Sequence, residues 1–485
     1  MRRLSPWLAA AAAACAACGN GSGAPQAPAA LSPAAELGKA LFFDTSLSAS
    51  GKQSCSTCHV PQQAFAEDPA TDLGLPVPLG GPDMDRPGFR NTPSLLYASF
   101  TPPFSLAGGT PRGGFFRDGR ASSLAVQAEQ PFVTSFEMAN ADAAEVVGRL
   151  RASAELPQFL AVYGAASLAD PATALADIGL AIAAFETEDA SFHPFTSKYD
   201  YWIQGLVALT AQEQRGLALF NDPGKGNCTA CHPSVVQEFS DHPLFTDFTY
   251  DNVGVPRNWS IPANLADPVS PVSGVPLSYV PANGNLPPDA EYGYYDLGLC
   301  GPFAPPDDDP NPRPAVSGTT SLCGFFKVPT LRNVALTAPY FHNGAYSTLQ
   351  QVLEWYVSRD INNNAGNNPT PVAAASALGN PYAAAGTFYL TAGGDPDLYQ
   401  YNDLPVEFDA NVNIGEVPYT PPAFAGGQAP TLSAADIADV IAFLCTLTDG
   451  YDPQDPSSYP APAQCQLATG LEAASSNPHP AGALR

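Results

Sequence analysis

Cys55-Ser56-Thr57-Cys58-His59 occurs a second time as Cys228-Thr229-Ala230-Cys231-His232, and the rest of the chain is read outward from these two pentapeptides. Each is a Cys-x-x-Cys-His element, the attachment signature of a c-type haem. Two thiols at this spacing reach the two vinyl groups of one porphyrin as thioethers, and the adjacent imidazole falls over the iron as its proximal ligand. A dithiol redox pair or half of a zinc site would account for a single copy, but zinc needs further Cys or His close by. The flanks repeat as well. Glu36-Leu37-Gly38-Lys39-Ala40-Leu41-Phe42-Phe43-Asp44 leads into the first site and Glu213-Gln214-Arg215-Gly216-Leu217-Ala218-Leu219-Phe220-Asn221 into the second, with a shared Gly, Leu and Phe pattern. The period of about 170 residues is far too long for a solenoid. The expectation is a mainly α protein of two c-type cytochrome domains, an internal duplication with long irregular loops.

Composition bounds the partners. The chain has 485 residues and a net charge of −26 with only 20 Lys and Arg; nucleic acid is excluded by that balance, whereas a positively charged protein partner would be steered to it. The 52 Pro and 41 Gly agree with long loops around a modest helical scaffold. Met1-Arg2-Arg3, the apolar run Leu8 to Ala14 and the small residues Ala16-Ala17-Cys18-Gly19 read as an export signal. Cys18 offers a lipoprotein site and hence a lipid anchor to the membrane, although Cys15 stands where such sites usually carry Leu; plain periplasmic release is the alternative. With two cysteines in the signal and four on haem, Cys300, Cys323, Cys445 and Cys465 remain. In an oxidising compartment these suggest two disulfides, most simply Cys300–Cys323 and Cys445–Cys465, out of three connectivities.

The expected organisation is a signal peptide over 1–18, a linker over 19–32, an N-terminal cytochrome domain over 33–200, a C-terminal one over 201–450, and a tail over 451–485. Ser32-Pro33 opens a helix that runs to Phe43, Thr210 and Glu213 form a capping box, and 123–130, 143–153, 171–186, 348–356 and 433–447 carry helical apolar spacing.

The chain resembles the bacterial di-haem cytochrome c peroxidase and MauG superfamily. The resemblance rests on the haem lead-ins, Arg90 to Pro93, Asp118-Gly119-Arg120, Gln127, Glu137-Met138 and Phe326 to Gly344, and covers most of residues 35–450. It implies a periplasmic enzyme with two covalently bound haem c groups and a calcium ion, in which hydrogen peroxide reacts at the N-terminal haem and the C-terminal haem transfers electrons. By position, Glu137 resembles the distal acid–base residue and Gln127 its neighbour; Asn91, Thr337 and Pro339 resemble the calcium ligands. A carboxylate in an apolar pocket suits O–O heterolysis, which needs a proton moved between the two peroxide oxygens. The implied electron source is a small periplasmic redox protein or, in the MauG manner, an aromatic side chain of a protein substrate. An electron carrier that is not an enzyme is the rival reading, and Glu137, Gln127 and an open first iron argue against it.

Two positions depart from the peroxidase pattern. Arg117 stands where these peroxidases carry Trp between the haems. The second half holds no Met, and Tyr356 stands at the position of the usual distal Met, fourteen residues past His342; the resemblance to MauG implies a His232/Tyr356 iron. No His lies between His59 and His193, so a loop histidine cannot close the first site, although Met84 is a candidate. His342 is expected to support the haem environment.

Overall fold

The computed structural model describes residues 30–68, 74–256, 258, 260–261, 296–299, 320–359, 403–404, 410–419, 430–456 and 462–466. The expected signal peptide, the Cys18 site, Cys300, His479 and most of the linker and tail lie outside these residues. The described residues from Leu31 onward belong to one compact unit. It is mainly helical. α1 (Pro33–Phe43) is followed by the single turn α2 (Cys55–Cys58), then α3 (Leu124–Val133), α4 (Ala143–Ala152), α5 (Leu156–Tyr163) and α6 (Pro171–Glu188). The second half adds α7 (Lys198–Ile203), α8 (Ala211–Asn221), α9 (Leu349–Ser358) and α10 (Ala434–Cys445). The described residues also hold two antiparallel pairs of two-residue strands, β1 (Leu79–Gly80) with β2 (Arg86–Pro87) and β3 (Tyr250–Asp251) with β4 (Phe326–Lys327).

Caps fix the helix starts. Ser32 Oγ accepts the Ala35 N–H, with Pro33 in the first turn, and the Thr210/Glu213 capping box is formed; each satisfies a backbone donor that the helix itself leaves unpaired. Helix α5 was not anticipated from the sequence. Its second position tolerates Pro, and Phe159 anchors it in the core with no exposure.

The two lead-ins do the same physical work. α1 crosses α6 so closely that a Cβ on Gly38 would lie 1.9 Å from the Ala181 carbonyl oxygen, and a Cβ on Gly216 of α8 would lie 1.9 Å from that of Asp439 on α10. Four residues on, Phe42 and Phe220 are buried in the respective cores. Glycine is therefore required at both crossings, and any side chain would push the helices apart. The linking α7 puts Tyr199 into the second core, while Asp200 holds the buried Arg332 through two hydrogen bonds of 2.8 and 2.9 Å. Cys445 and Cys465 form the expected disulfide (S–S 2.08 Å), and Cys323 is disulfide-bonded too.

The duplication extends further than the lead-ins. Leu95 N–H donates to Phe65 O (3.2 Å) and Leu331 N–H to Phe245 O (3.3 Å), while Ser94 and Thr330 hydroxyls bond the Ala64 and Leu244 carbonyls (2.5 and 2.6 Å). Phe65 and Phe245 both have φ 53°, and Tyr97 and Asn333 have φ 63° and 60°, left-handed values rare outside glycine. Likewise 115–121 and 340–346 each close on a bridge between their first and last residues, around Phe116 and Phe341 at φ 62° and 69°. These segments join the halves reciprocally: Asn91 N–H donates to His342 O (2.8 Å) and Lys327 N–H donates to Arg117 O (2.7 Å).

Candidate di-haem centre

One continuous cavity of about 470 Å³ runs past both pentapeptides and is lined by Cys55, Cys58, His59, Cys228, Cys231 and His232. His59 Nδ1 lies 3.0 Å from Phe65 O, and His232 Nδ1 lies 2.9 Å from Phe245 O. A carbonyl partner makes Nδ1 the protonated nitrogen and leaves Nε2 with a lone pair for a metal. Burial pulls His59 down to about 4 and also lowers His232, so both rings are neutral, as ligation requires.

The charges around the cavity fit the same group. Arg117 and Lys327 line it, bonded only to neutral oxygens: Arg117 to Asn91 (2.8 and 3.1 Å) and Lys327 Nζ to Gly114 O (2.5 Å). Burial, with Arg90 close by, draws Arg117 down to about 10, and burial draws Lys327 down to about 7. Two enclosed cations without an ion-pair partner among the described residues match the anionic propionates of a haem. The residues present therefore fit two haem groups.

At the first site Gln127, on α3, and Glu137 both line the cavity. Glu137 sits in a turn after α3: its N–H donates to Thr134 O (3.0 Å) and its carbonyl accepts from Gly81 N–H (2.8 Å). The turn is clamped against β1, where a Cβ on Gly80 would meet Phe136 O at 2.3 Å. Met84 is not among the cavity-lining residues; its sulfur faces Ser50 Oγ at 3.5 Å.

At the second site Tyr356, on α9, lines the same cavity as Cys228 and Cys231. Burial pushes its phenol well above the usual tyrosine range, and the nearby Arg359 cation opposes that rise. Its ring stacks on Tyr419 (5.4 Å between centroids, 25°), and the Arg359 guanidinium lies over the Tyr419 ring at 3.9 Å. Sequence reasoning missed Tyr419, which lies outside any periodic segment. His342 is stacked on Phe326 (3.7 Å, 9°) and its Nε2 lies 3.1 Å from Asp403 Oδ2, an arrangement of support. His193 and His242 bond Thr187 O and Asp200.

Glu186 was also missed. It lines the cavity from α6, is 3% exposed, and its Oε2 has no hydrogen-bond partner among the described residues. Its spacing with Gly179 and Ile182 on one helix face was the available signal. Burial raises its carboxyl to about 8, against 4.5 for the ordinary side chain. The folded protein thus holds this proton where the unfolded chain releases it, so the stability it confers is complete below about pH 4.5 and is lost as pH rises through about 8. Glu186→Gln is expected to be neutral near pH 4 and stabilising by a few kcal/mol, about 1.4 per pH unit of the shift, at pH 8 and above. Denaturant midpoints measured across that range check it; parallel curves for the two proteins would reject it.

A paired helix crossing, two buried histidines lining one cavity and four cysteines beside them fit a di-haem cytochrome. Comparison with known proteins agrees. The di-haem cytochrome c peroxidase family profile matches residues 32–208. The methylamine utilization protein MauG of Paracoccus denitrificans is 36% identical over 324 residues, covering 66% of this chain and 73% of that protein. Cytochrome c551 peroxidase of Nitrosomonas europaea is 30% identical over 321 residues, 66% and 71% of the two chains. The structure of the diheme peroxidase BthA of Burkholderia thailandensis superposes with a TM-score of 0.66 at 30% identity, over 89% of this chain and 91% of that one. The chain belongs to the di-haem cytochrome c peroxidase and MauG family, and it is a peroxidase-type oxidoreductase with two haem groups.

Proposed function

We propose that the protein uses hydrogen peroxide at a haem c that Cys55, Cys58 and His59 would hold, and that Cys228, Cys231, His232 and Tyr356 would hold a second haem c. The observation that carries this is the continuous cavity that Gln127, Glu137 and Tyr356 line together with both pentapeptides. When bound, the haem irons supply the redox equivalents that cleave the O–O bond. The chain supplies the rest. Glu137 moves a proton from one peroxide oxygen to the other, and the Gln127 amide orients the peroxide. The carbonyls of Phe65 and Phe245 fix the proximal rings and raise their basicity as ligands. Tyr356 would offer the second haem an oxygen donor. In the MauG-like reading the electrons come from an aromatic side chain of a protein substrate. The net charge of −26 supports a second reading, in which a small basic redox protein docks and delivers them. Both readings place the chain in the periplasm behind its export signal, lipid-anchored if Cys18 is modified. No helix among the described residues is long and apolar enough to cross a membrane.

The absence of a histidine between His59 and His193 leads to an expected result. The resting ferric protein shows one high-spin, five-coordinate haem, and peroxide reacts on mixing without prior reduction. Two low-spin six-coordinate haems, inert until reduced, would overturn the open first site. Absence of any peroxide turnover would instead favour a simple electron carrier.

A further inference from the structure

Helices α6 and α10 occupy the same place in the two halves. Ala181 faces Gly38 as Asp439 faces Gly216, and Phe185 meets Phe42 edge-on (5.6 Å between centroids) as Phe443 meets Phe220 (5.1 Å). The same register matches Ile182 to Val440 and Glu186 to Leu444, and all four line the cavity. Leu444 shows that an apolar side chain satisfies the fold at this place. In the first half a carboxyl stands there instead, buried and with Oε2 unbonded among the described residues. Burying it carries a desolvation cost that leucine would not, and such groups gather at functional sites.

Glu186 stands by the first pentapeptide. It acts electrostatically on Cys55, as Glu137 does, and Cys55 packs on the core cluster that holds Ile182 and Phe185. The other titratable groups around α6 are engaged elsewhere. On α6 itself, Asp177 accepts from Ser167 (2.6 Å) and Glu188 from Ser32 (2.8 Å). On α1, Glu36 is exposed and Lys39 is paired with Asp189 (3.0 Å). On α4, Arg149 is paired with Glu145 (2.7 Å) and Arg151 bonds Leu168 O (2.8 Å). Glu129 on α3 lies against Gly179, two turns from Glu186. Tyr97 donates to Asp449 (2.6 Å), His193 bonds Thr187 O (2.9 Å) and Arg120 is held by Asp118 (3.1 Å). None of these supplies Glu186 with a counter-charge, and burial is the cause of its raised value of about 8.

On the reading that a haem c is held at this pentapeptide, we propose that Glu186 is a proton site tied to the oxidation state of that haem. The carboxylate takes a proton from water as the iron gains an electron from a redox protein or chemical reductant, and it releases the proton when the electron leaves. The enclosed charge is then the same in both states. An added electron in poorly screened surroundings disfavours a nearby carboxylate, and by linkage a protonated Glu186 favours the reduced iron to the same degree. Where Glu186 is protonated in both states, or ionised in both, the potential does not vary with pH. Between those limits it falls as pH rises.

The test is a spectroelectrochemical titration of the intact di-haem protein at a series of pH values, without peroxide. The first haem's potential is expected to fall between about pH 6 and 9. The steepest fall expected is a tenfold change in the reduction equilibrium per pH unit, about 59 mV for one electron. Glu186→Gln and Glu186→Leu, the second copying the residue of the other half, are each expected to remove at least half of that slope while the ferric spectrum stays unaltered. A slope that survives in full in Glu186→Gln would overturn the proposal, as would a wild-type potential independent of pH. Should Glu186→Leu not fold, Glu186→Gln, which preserves the shape, decides. Two haems per chain with pH-independent potentials would overturn this proposal alone, whereas fewer than two would overturn the proposed function with it.

Discussion

Glu137→Gln is expected to slow the reaction of the oxidised protein with peroxide by roughly 10²–10⁴-fold, the usual scale for losing a general acid–base group. Glutamine keeps the size and a hydrogen-bonding tip but cannot accept and return a proton. The turn that presents residue 137 is held by backbone bonds to Thr134 and Gly81, so the substitution leaves its position unaltered. Proximal ligation by His59 is therefore expected to persist, and the resting ferric spectrum should match the wild type. Stopped-flow mixing with peroxide gives the rate. An unchanged rate would return Glu137 to the many acids of the chain that merely solvate it.

The second large effect is expected at Tyr356. An anionic oxygen ligand lowers a haem potential and favours its oxidised states, whereas a thioether raises it. Tyr356→Met is expected to raise the potential of the second haem by on the order of 10² mV, given the range of about 0.8 V that axial ligands span, and to shift reactivity toward small electron donors. Tyr356→Phe is expected to leave that iron open and high-spin. Potentiometric titration with parallel spectra separates the two variants. Low-spin spectra unaltered in both would move the ligand elsewhere, and the stacked neighbour Tyr419 would be examined next.

How much of this was legible in the sequence depended on whether a side chain or a backbone shape carried the role. The haem pentapeptides are readable because the chemistry fixes both residue type and spacing. Gly38 and Gly216 were visible as a repeated letter, and the helix crossings supply their reason. By contrast, 92–97 and 328–333 share left-handed turns and carbonyl contacts that many sequences can adopt, so only Pro, Leu and a hydroxyl recur. Arg117 and His342 occupy matching places in two equivalent loops, yet nothing in their chemistry announces it. Glu186 looks like one acid among several at the end of a helix until its burial is known. Asn91 carries a contact that the sequence does not announce, since the guanidinium that bonds its Oδ1 lies 26 residues away.

The reciprocal bonds from Asn91 to His342 and from Lys327 to Arg117 carry an evolutionary corollary. A tandem copy of an ancestral gene would at first have encoded two autonomous beads on a string. Here each bead lends the other a piece of its own wall, and the chain end returns as well, with Asp449 accepting from Tyr97, Thr196 and Asn333. Gene fission between α7 and α8 would release two fragments, each with half of a shared lining missing. What selection can preserve, transfer or lose is the pair.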